Sequence, residues 1–170
     1  MKKLLYILLV ALVAVSCTKE DRKNRIVEQE ASIDRYISSL KDVRVERNNG
    51  SNRVVTKEGK GKDSLAIGDS LRFYYAGYVF SNGKGELFAT NDTTVAIAHS
   101  FELEQGVESR ILSHKELVPG LANGLVGARA GEECQVIFSA KYGYGNTIVY
   151  NVPKLSPLIF EIRIESIVKN

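Results

Sequence analysis

The stretch Leu117-Val118-Pro119-Gly120-Leu121-Ala122-Asn123-Gly124-Leu125 decides the fold. Proline is favoured in the first turn of a helix, where its missing N–H would have no intrahelical acceptor, so Pro119 predicts a helix start. The apolar residues that follow predict a short helix that is buried on one side. The sequence on either side alternates as strands do, so we expect one short helix within a β-rich domain.

Strands flank this helix in the sequence. In the segments 71–75 and 158–167, apolar side chains occupy every second position. The segment 132–139 repeats the pattern and places Cys134 on the apolar face. Such alternation is typical of antiparallel strands that bury one face. An antiparallel sheet with a helix on a single face is an α+β domain.

Two further elements precede the sheet. Residues 19–41 are polar, with apolar residues at three-, four- and seven-residue steps, which predicts an amphipathic helix; its apolar positions are Ile26, Val27, Ile33, Ile37 and Leu40. This stripe could pack on its own domain or on the same helix of a second copy, which would make a homodimer. After the helix, Val43 and Val45, turn residues at 48–52 and a strand from Val54 predict a hairpin.

The N-terminus predicts export. Lys2-Lys3 is followed by an apolar run from Leu4 to Val15 and then by Ser16-Cys17. These are the three regions of a signal peptide, and the run is shorter than the roughly 20 apolar residues of a membrane-spanning helix. The six residues that end at Cys17 resemble a bacterial lipobox, in which the cysteine becomes the acylated first residue. The alternative is an ordinary secretory signal that leaves Cys17 as a free thiol.

These features predict three parts of the chain. Residues 1–16 form a signal peptide that is removed, and residues 17–52 form the lipid anchor, tether, amphipathic helix and start of the hairpin. Residues 53–170 form the β-rich domain. A lipid such as palmitate on Cys17 would place the protein outside the cytoplasm, at the outer membrane, on its periplasmic or surface face.

Charge and metal-ligand spacing exclude several functions. The 23 basic and 20 acidic residues are interspersed, so no basic stripe predicts nucleic-acid binding. His99 and His114 have no second ligand at metal spacing, and neither a metal nor a cofactor is expected. With Cys17 lipidated no disulfide is possible within the chain, and Cys134, on the apolar face of its strand, is expected to be a small core residue.

Four motifs, in order, resemble one family. They are Gly68-Asp69 with Tyr75-Ala76-Gly77; 117–121 with Gly124-Leu125 and Gly131-Glu132; Tyr142-Gly143-Tyr144-Gly145; and Val152-Pro153 before 158–162. Over about 54–168 the chain is similar to the FKBP-type peptidyl-prolyl isomerases. The resemblance implies a bent antiparallel sheet wrapped around one short helix. It also implies cis/trans isomerisation of X-Pro bonds in unfolded or partly folded exported proteins.

The resemblance also assigns a pocket. It implies catalytic roles for Tyr75, Phe88, Val118, Tyr144 and Phe160, and substrate contacts from Leu117, Leu121, Phe101 and Val152. The Val118 N–H and the Tyr144 hydroxyl would donate to substrate carbonyls. The segment 91–109 is longer than in the family, so an aromatic wall from it would be Phe101 or would be absent.

Two positions depart from the family pattern. Leu121 stands where many members carry Trp, and Ala89 stands where the common pattern has Asp. These departures leave an alternative open, a weakly active or inactive FKBP-fold chaperone or binding module.

Overall fold

The computed structural model describes residues 2–103, 108–113 and 115–170, with side chains for 19–103, 110–113 and 115–170. The helices are α1 (Lys2–Ser39), α2 (Thr93–His99) and α3 (Pro119–Leu125), with a 3₁₀ turn at Ala140–Tyr142. The strands are β1 (Arg44–Asn48), β2 (Ser51–Lys57), β3 (Ser70–Phe80), β4 (Lys84–Thr90), β5 (Glu108–Ile111), β6 (Glu133–Phe138) and β7 (Leu158–Val168).

The strands form one antiparallel sheet in the order β1-β2-β6-β7-β3-β4. The first part of β3 pairs with β5, and its second part pairs with β4. The expected α+β architecture is confirmed, with α3 packed on β6 and β2. The pattern of burial in β7 is also confirmed, because Ile162 and Ile164 are buried whereas Arg163 and Glu165 are exposed.

The predicted hairpin joins the sheet directly. Asn49 and Gly50 connect β1 to β2 with positive φ angles of 45° and 79°, which are the left-handed conformations of a two-residue hairpin turn. Strand β2 pairs on its other side with β6. The predicted boundary after Asn52 therefore falls inside a strand of the main sheet.

The hairpin also holds α3 through buried polar groups. The Asn48 amide donates to the carbonyl of Asn123 at 3.0 Å, and the Asn123 amide donates to the carbonyl of Asn49 at 3.2 Å.

Arg53 and Glu132 form an ion pair in which both side chains are buried. Breaking such a pair leaves one charge buried and unpaired, which is strongly destabilising.

Two glycines bring α3 against the sheet. A Cβ at Gly120 would overlap the ring of Phe138, and a Cβ at Gly124 would overlap Val136 on the same strand. The two glycines are four residues apart and so lie on one face of the helix. The predicted helix start at Pro119 is confirmed, and the helix ends at Leu125.

Helix α1 covers the opposite face of the sheet. Ile33 and Ile37 are 1% and 6% exposed and pack in a cluster with Val54, Ile137 and Ile159. Of the two alternatives for the apolar stripe, these residues take the first and pack on their own domain. The homodimer through this helix stays a prediction.

The helix begins earlier than expected. It starts at Lys2 instead of Lys19 and ends at Ser39, so its backbone continues through residue 17 without a break. The Cys17 side chain lies outside the described residues, and the signal cleavage and lipid anchor stay predictions. No helix of the described part of the chain is long and apolar enough to cross a membrane.

A further helix, α2, lies between β4 and β5. Asp92 caps it, because its carboxylate accepts hydrogen bonds from the N–H groups of Thr94 at 2.8 Å and Val95 at 3.4 Å. An Asp in this position satisfies backbone donors that have no intrahelical acceptor. Helix α2 places His99 on the surface, whereas His114 lies outside the described residues.

Candidate active site

A cavity of about 520 Å³ opens between α3, strands β3, β4 and β7, and the chain that follows β6. Eight of the nine predicted pocket residues line it: Tyr75, Phe88, Phe101, Leu117, Val118, Leu121, Tyr144 and Phe160. The segment 91–109 therefore does contribute an aromatic wall. The sheet and α3 bring these residues together from widely separated parts of the chain.

The ninth predicted residue, Val152, does not line the cavity. It is 1% exposed and packs in the core, and its N–H donates to the carbonyl of Val149 at 2.9 Å. The Val149 N–H donates back at 3.3 Å. This pairing makes a tight turn that directs Val152 into the core, and its predicted contact with substrate stays a prediction.

The aromatic rings of the cavity wall contact one another edge-to-face, and one of them also stacks on a ring of the core. The ring of Phe88 lies 5.6 Å from that of Phe160 at 88°, and 6.1 Å from that of Tyr144 at 78°. Phe138 stacks beneath Phe160 at 5.9 Å. Such arrangements are the favoured geometry of aromatic pairs and fix each ring.

Gly77 leaves the space that these rings need. A Cβ there would lie 2.8 Å from the ring of Phe160 and 2.8 Å from that of Phe88. The Tyr-x-Gly motif of β3 thus serves the pocket twice, because Tyr75 forms its wall and Gly77 admits the neighbouring rings.

Two residues that line the cavity carry hydrogen-bond donors. Val118 lines the cavity at the start of α3, and its carbonyl accepts from Leu121 and Ala122 at 2.9 and 3.0 Å. Among the described residues no acceptor takes the Val118 N–H. The Tyr144 hydroxyl likewise has no hydrogen-bond partner in the described part of the chain.

Burial keeps the second donor protonated. Removal from water raises the pKa of Tyr144 above its ordinary value, and the nearby hydroxyls of Tyr150 and Tyr75 raise it further. Desolvation disfavours the charged form of a phenol. The Tyr144 hydroxyl is therefore a neutral donor throughout the physiological pH range.

A sequence profile described as FKBP-type peptidyl-prolyl cis-trans isomerase matches residues 61–165, more than half of the chain. The chain belongs to the FKBP-type peptidyl-prolyl cis-trans isomerase family. The resemblance in the four motifs and the expected enzyme class are confirmed. The comparison with curated protein sequences finds no match.

Solved structures share the fold at low sequence identity. FkpA from Escherichia coli is 19% identical, with a TM-score of 0.62, over 96% of this chain and 71% of that one. A peptidyl-prolyl cis-trans isomerase from Pseudomonas syringae pv. tomato is 14% identical, with a TM-score of 0.65, over 86% and 96%. The three-domain wheat FKBP73 is 20% identical, with a TM-score of 0.60, over 75% of this chain and 50% of that one.

Sequence reasoning missed two residues that support this FKBP pocket. Asn91 is 2% exposed, and its amide donates to the carbonyl of Phe73 at 3.0 Å and accepts from the Tyr75 N–H at 2.7 Å. The Thr90 hydroxyl donates to the carbonyl of Tyr75 at 2.7 Å. These side chains complete the pairing of β3 where β4 leaves it, and so they orient Tyr75. The only local signal is a polar Thr-Asn-Asp run directly after an apolar strand.

The remaining lining residues belong mainly to the mouth of the cavity. Glu102, Arg110, Glu116 and Tyr150 are exposed there. Phe73 is the exception, because it is buried in the core and also touches the cavity. No group of three His, Cys, Asp or Glu side chains in the described part of the chain could hold a metal ion. The interior thus combines aromatic and aliphatic side chains with the Val118 N–H, the Tyr144 hydroxyl and the buried polar side chains of Thr90 and Asn91.

Proposed function

We propose that this cavity binds X-Pro segments of unfolded or partly folded exported proteins and catalyses cis/trans isomerisation of the prolyl bond. The observation that carries the proposal is the placement of two neutral donors, the Val118 N–H and the Tyr144 hydroxyl, in an aromatic pocket. Family membership supports the reaction class, and the geometry supports the assignment of residues.

Rotation of an amide needs neither a nucleophile nor a cofactor. The barrier is roughly 18–20 kcal/mol because resonance gives the C–N bond double-bond character. The planar amide is more charge-separated than the twisted one, so water stabilises the planar form more. A pocket walled by Tyr75, Phe88 and Phe160 replaces water around the bond and thereby favours the twisted form.

The two donors orient the substrate. A hydrogen bond from the Val118 N–H to a substrate carbonyl would fix the chain next to the proline, and one from Tyr144 would fix a second carbonyl. Holding both ends of the rotating bond lowers the entropy that is lost in reaching the transition state. Neither donor changes its protonation state in the reaction.

The test is a protease-coupled assay of an X-Pro peptide with the full-length chain in detergent. We expect isomerisation well faster than the uncatalysed tens to hundreds of seconds. Tyr144→Phe removes one donor and should lower kcat/KM about tenfold, the equivalent of one hydrogen bond. The matched control is Tyr36→Phe, which removes a hydroxyl bonded to Gln135 on the other face of the sheet and should leave kcat/KM unchanged. A folded wild-type protein without activity would contradict the proposal.

A second candidate is a binding module or chaperone with little catalysis. It is favoured by Leu121 in the cavity wall and by Ala89 beside it, where the family pattern has Trp and Asp. Under this hypothesis the protein suppresses aggregation of an unfolded client although isomerisation is slow. If Tyr144→Phe and Val118→Asp leave that protection unchanged while the isomerase assay shows no activity, the second candidate replaces the first.

We also propose that a lipid on Cys17 anchors the domain at the outer membrane. The support is the lipobox-like sequence before a charged stretch, and the docking of α1 from Gln29 onward leaves the preceding residues as the tether. Labelling cells with a clickable palmitate analogue should mark the wild-type protein and not Cys17→Ala. Equal labelling of the two would contradict the anchor, and protease treatment of intact cells distinguishes the surface face from the periplasmic face.

The same helix supports a proposed homodimer. Val27 is 58% exposed and Ile26 is half-buried, so part of the apolar stripe remains available outside the contact with the sheet. Light scattering should give the mass of two chains for the wild-type protein and of one chain for Val27→Glu. A monomeric wild-type protein would remove this proposal.

A further inference from the structure

We infer that Gln29 of α1 is a positioning residue for the active site, because it fixes the chain segment that carries Tyr144. This segment, residues 139–157 between β6 and β7, is called the pocket loop below. The inference rests on the proposed function of Tyr144. It adds to that function a residue from the N-terminal helix, which lies outside the cavity.

The Gln29 side chain bridges the two ends of the pocket loop. Its Nε2 donates to the carbonyl of Leu155 at 2.7 Å, and its Oε1 accepts from the N–H of Ala140 at 2.9 Å. The amide orientation is determined chemically, because Ala140 offers only a donor and Leu155 only an acceptor to it. A single amide thus ties the beginning of the loop to its end.

The groups that Gln29 holds are also those that hold Tyr144. The carbonyl of Ala140 accepts from the N–H groups of Gly143 and Gly145 at 3.2 and 3.1 Å. The Leu155 N–H donates to the carbonyl of Gly145 at 2.7 Å. Ala140, Gly145, Leu155 and Gln29 therefore form a closed circuit of hydrogen bonds beside Tyr144.

The backbone at Leu155 explains why this end of the loop needs an external contact. Its φ angle is 56°, a left-handed backbone conformation that residues other than glycine rarely adopt. Such a conformation persists only where neighbouring contacts enforce it. Both backbone hydrogen bonds of Leu155 named above provide that enforcement, and Gln29 makes one of them.

Helix α1 is itself fixed to the domain by the residues next to Gln29. Ile33, one turn further along, is 1% exposed against the sheet. Next to Gln29, the Glu30 carboxylate accepts from the Ser139 hydroxyl at 3.2 Å. The helix is therefore a firm support, and the position of Tyr144 depends on a contact that lies more than 100 residues away in the sequence.

The test compares Gln29→Ala with Glu28→Ala, an exposed neighbour on the same helix. Two quantities are measured on the full-length chain in detergent: kcat/KM for an X-Pro peptide and the amide hydrogen exchange of the pocket loop. For Gln29→Ala we expect kcat/KM to fall about tenfold, with exchange at Gly145 and Leu155 faster by about the same factor. Glu28→Ala should change neither.

Selectivity of the exchange separates positioning from general stability. In Gln29→Ala the amides of β3 and β7 should keep their wild-type exchange rates, whereas general destabilisation would accelerate them too. Gln29→Glu retains the acceptor for Ala140 and loses the donor to Leu155, so it should restore protection at Ala140 alone.

The outcomes distinguish this inference from the proposed function. If the wild-type protein is inactive, the proposed function fails, and faster loop exchange in Gln29→Ala still supports the positioning role. If the wild-type protein is active and Gln29→Ala matches it in kcat/KM and in loop exchange, the inference is overturned. Acceleration of β3 and β7 together with the loop would also overturn it.

Discussion

The two faces of the sheet use neighbouring residues of one strand for different purposes. Ile159 of β7 is fully buried beneath α1, in the cluster with Ile33 and Ile37. The next residue, Phe160, turns to the other face and lines the cavity against Phe88. Strand alternation therefore places a closed, stabilising layer directly behind an open, binding layer.

The difference shows how the fold maintains an open cavity. Empty apolar space reduces packing and is destabilising. Burial on the face with the cavity therefore stabilises the fold less than a filled core would. On the opposite face α1 covers the sheet around Ile159 with Ile33 and Ile37, and the opening beside it, among Tyr74, Gln135 and Glu161, is about 260 Å³, half the volume of the cavity. Substitutions on the closed face should therefore change stability, whereas substitutions on the open face should change catalysis.

The largest expected effect is on the closed face. Ile159→Ala deletes buried carbon atoms where α1 and β6 leave little room to collapse, and it should lower the free energy of unfolding by about 2–5 kcal/mol. Denaturant unfolding measures this change. The kcat/KM per folded molecule should remain at the wild-type value, and a fall of tenfold or more would break the comparison.

Gly77→Ala should have the next largest effect, because it crowds the open face. The added Cβ would lie 2.8 Å from the rings of Phe160 and Phe88, and overpacking of this kind costs about 1–3 kcal/mol. It should also raise KM, since the rings must move into the cavity. Adding Phe88→Leu should recover part of the stability by removing one of the crowding rings, and strict additivity of the two changes would contradict this explanation.

Phe160→Leu should affect catalysis more than stability. The variant removes an aromatic wall of the cavity, so kcat/KM should fall about tenfold while stability falls by only about 1–2 kcal/mol. The matched control is Ile159→Val, a small deletion on the closed face that should cost about 0.5–1.5 kcal/mol and leave kcat/KM unchanged. Equal losses of activity in the two variants would contradict the assignment of stability to one face of the sheet and of catalysis to the other.

The smallest effect at neutral pH is expected from the ionisation of the Cys134 thiol, which does not influence stability there. Burial raises the pKa of its thiol from 9.0 to about 12, so the unfolded chain releases this proton at lower pH than the folded one does. Stability should therefore decline as pH rises from about 9 to 12. Subtracting the pH profile of Cys134→Ala isolates the thiol, and identical slopes for the two proteins would show that the thiol contributes nothing.

The open face could be predicted in large part because its signals are local. Pro119 starts a helix in any context, and alternation in β3 and β7 directs Tyr75 and Phe160 to one face. The other pocket residues were assigned through the family resemblance, which includes the motif around Tyr144. The core position of Val152 could not be predicted, because its place in the motif does not reveal that it pairs with Val149.

The supports of the site could not be predicted because they depend on distant partners. Asn91 acts by bonding β3 where β4 departs from it, which requires the path of both strands. Gln29 is an ordinary polar residue of a helix until its partners at Ala140 and Leu155 are known. Ile159 lies within an apolar run, and its separate role follows only from the position of α1.

Exchange NMR on a peptide that populates both prolyl isomers tests the central claim most directly. Without enzyme, cis and trans signals interconvert over roughly tens to hundreds of seconds, far too slowly for exchange peaks at a sub-second mixing time. We expect the full-length wild-type protein to produce these peaks, Ile159→Val to match it, and Phe160→Leu to weaken them about tenfold. Absence of exchange peaks with folded wild-type protein, or equal weakening in both variants, would contradict a catalytic open face.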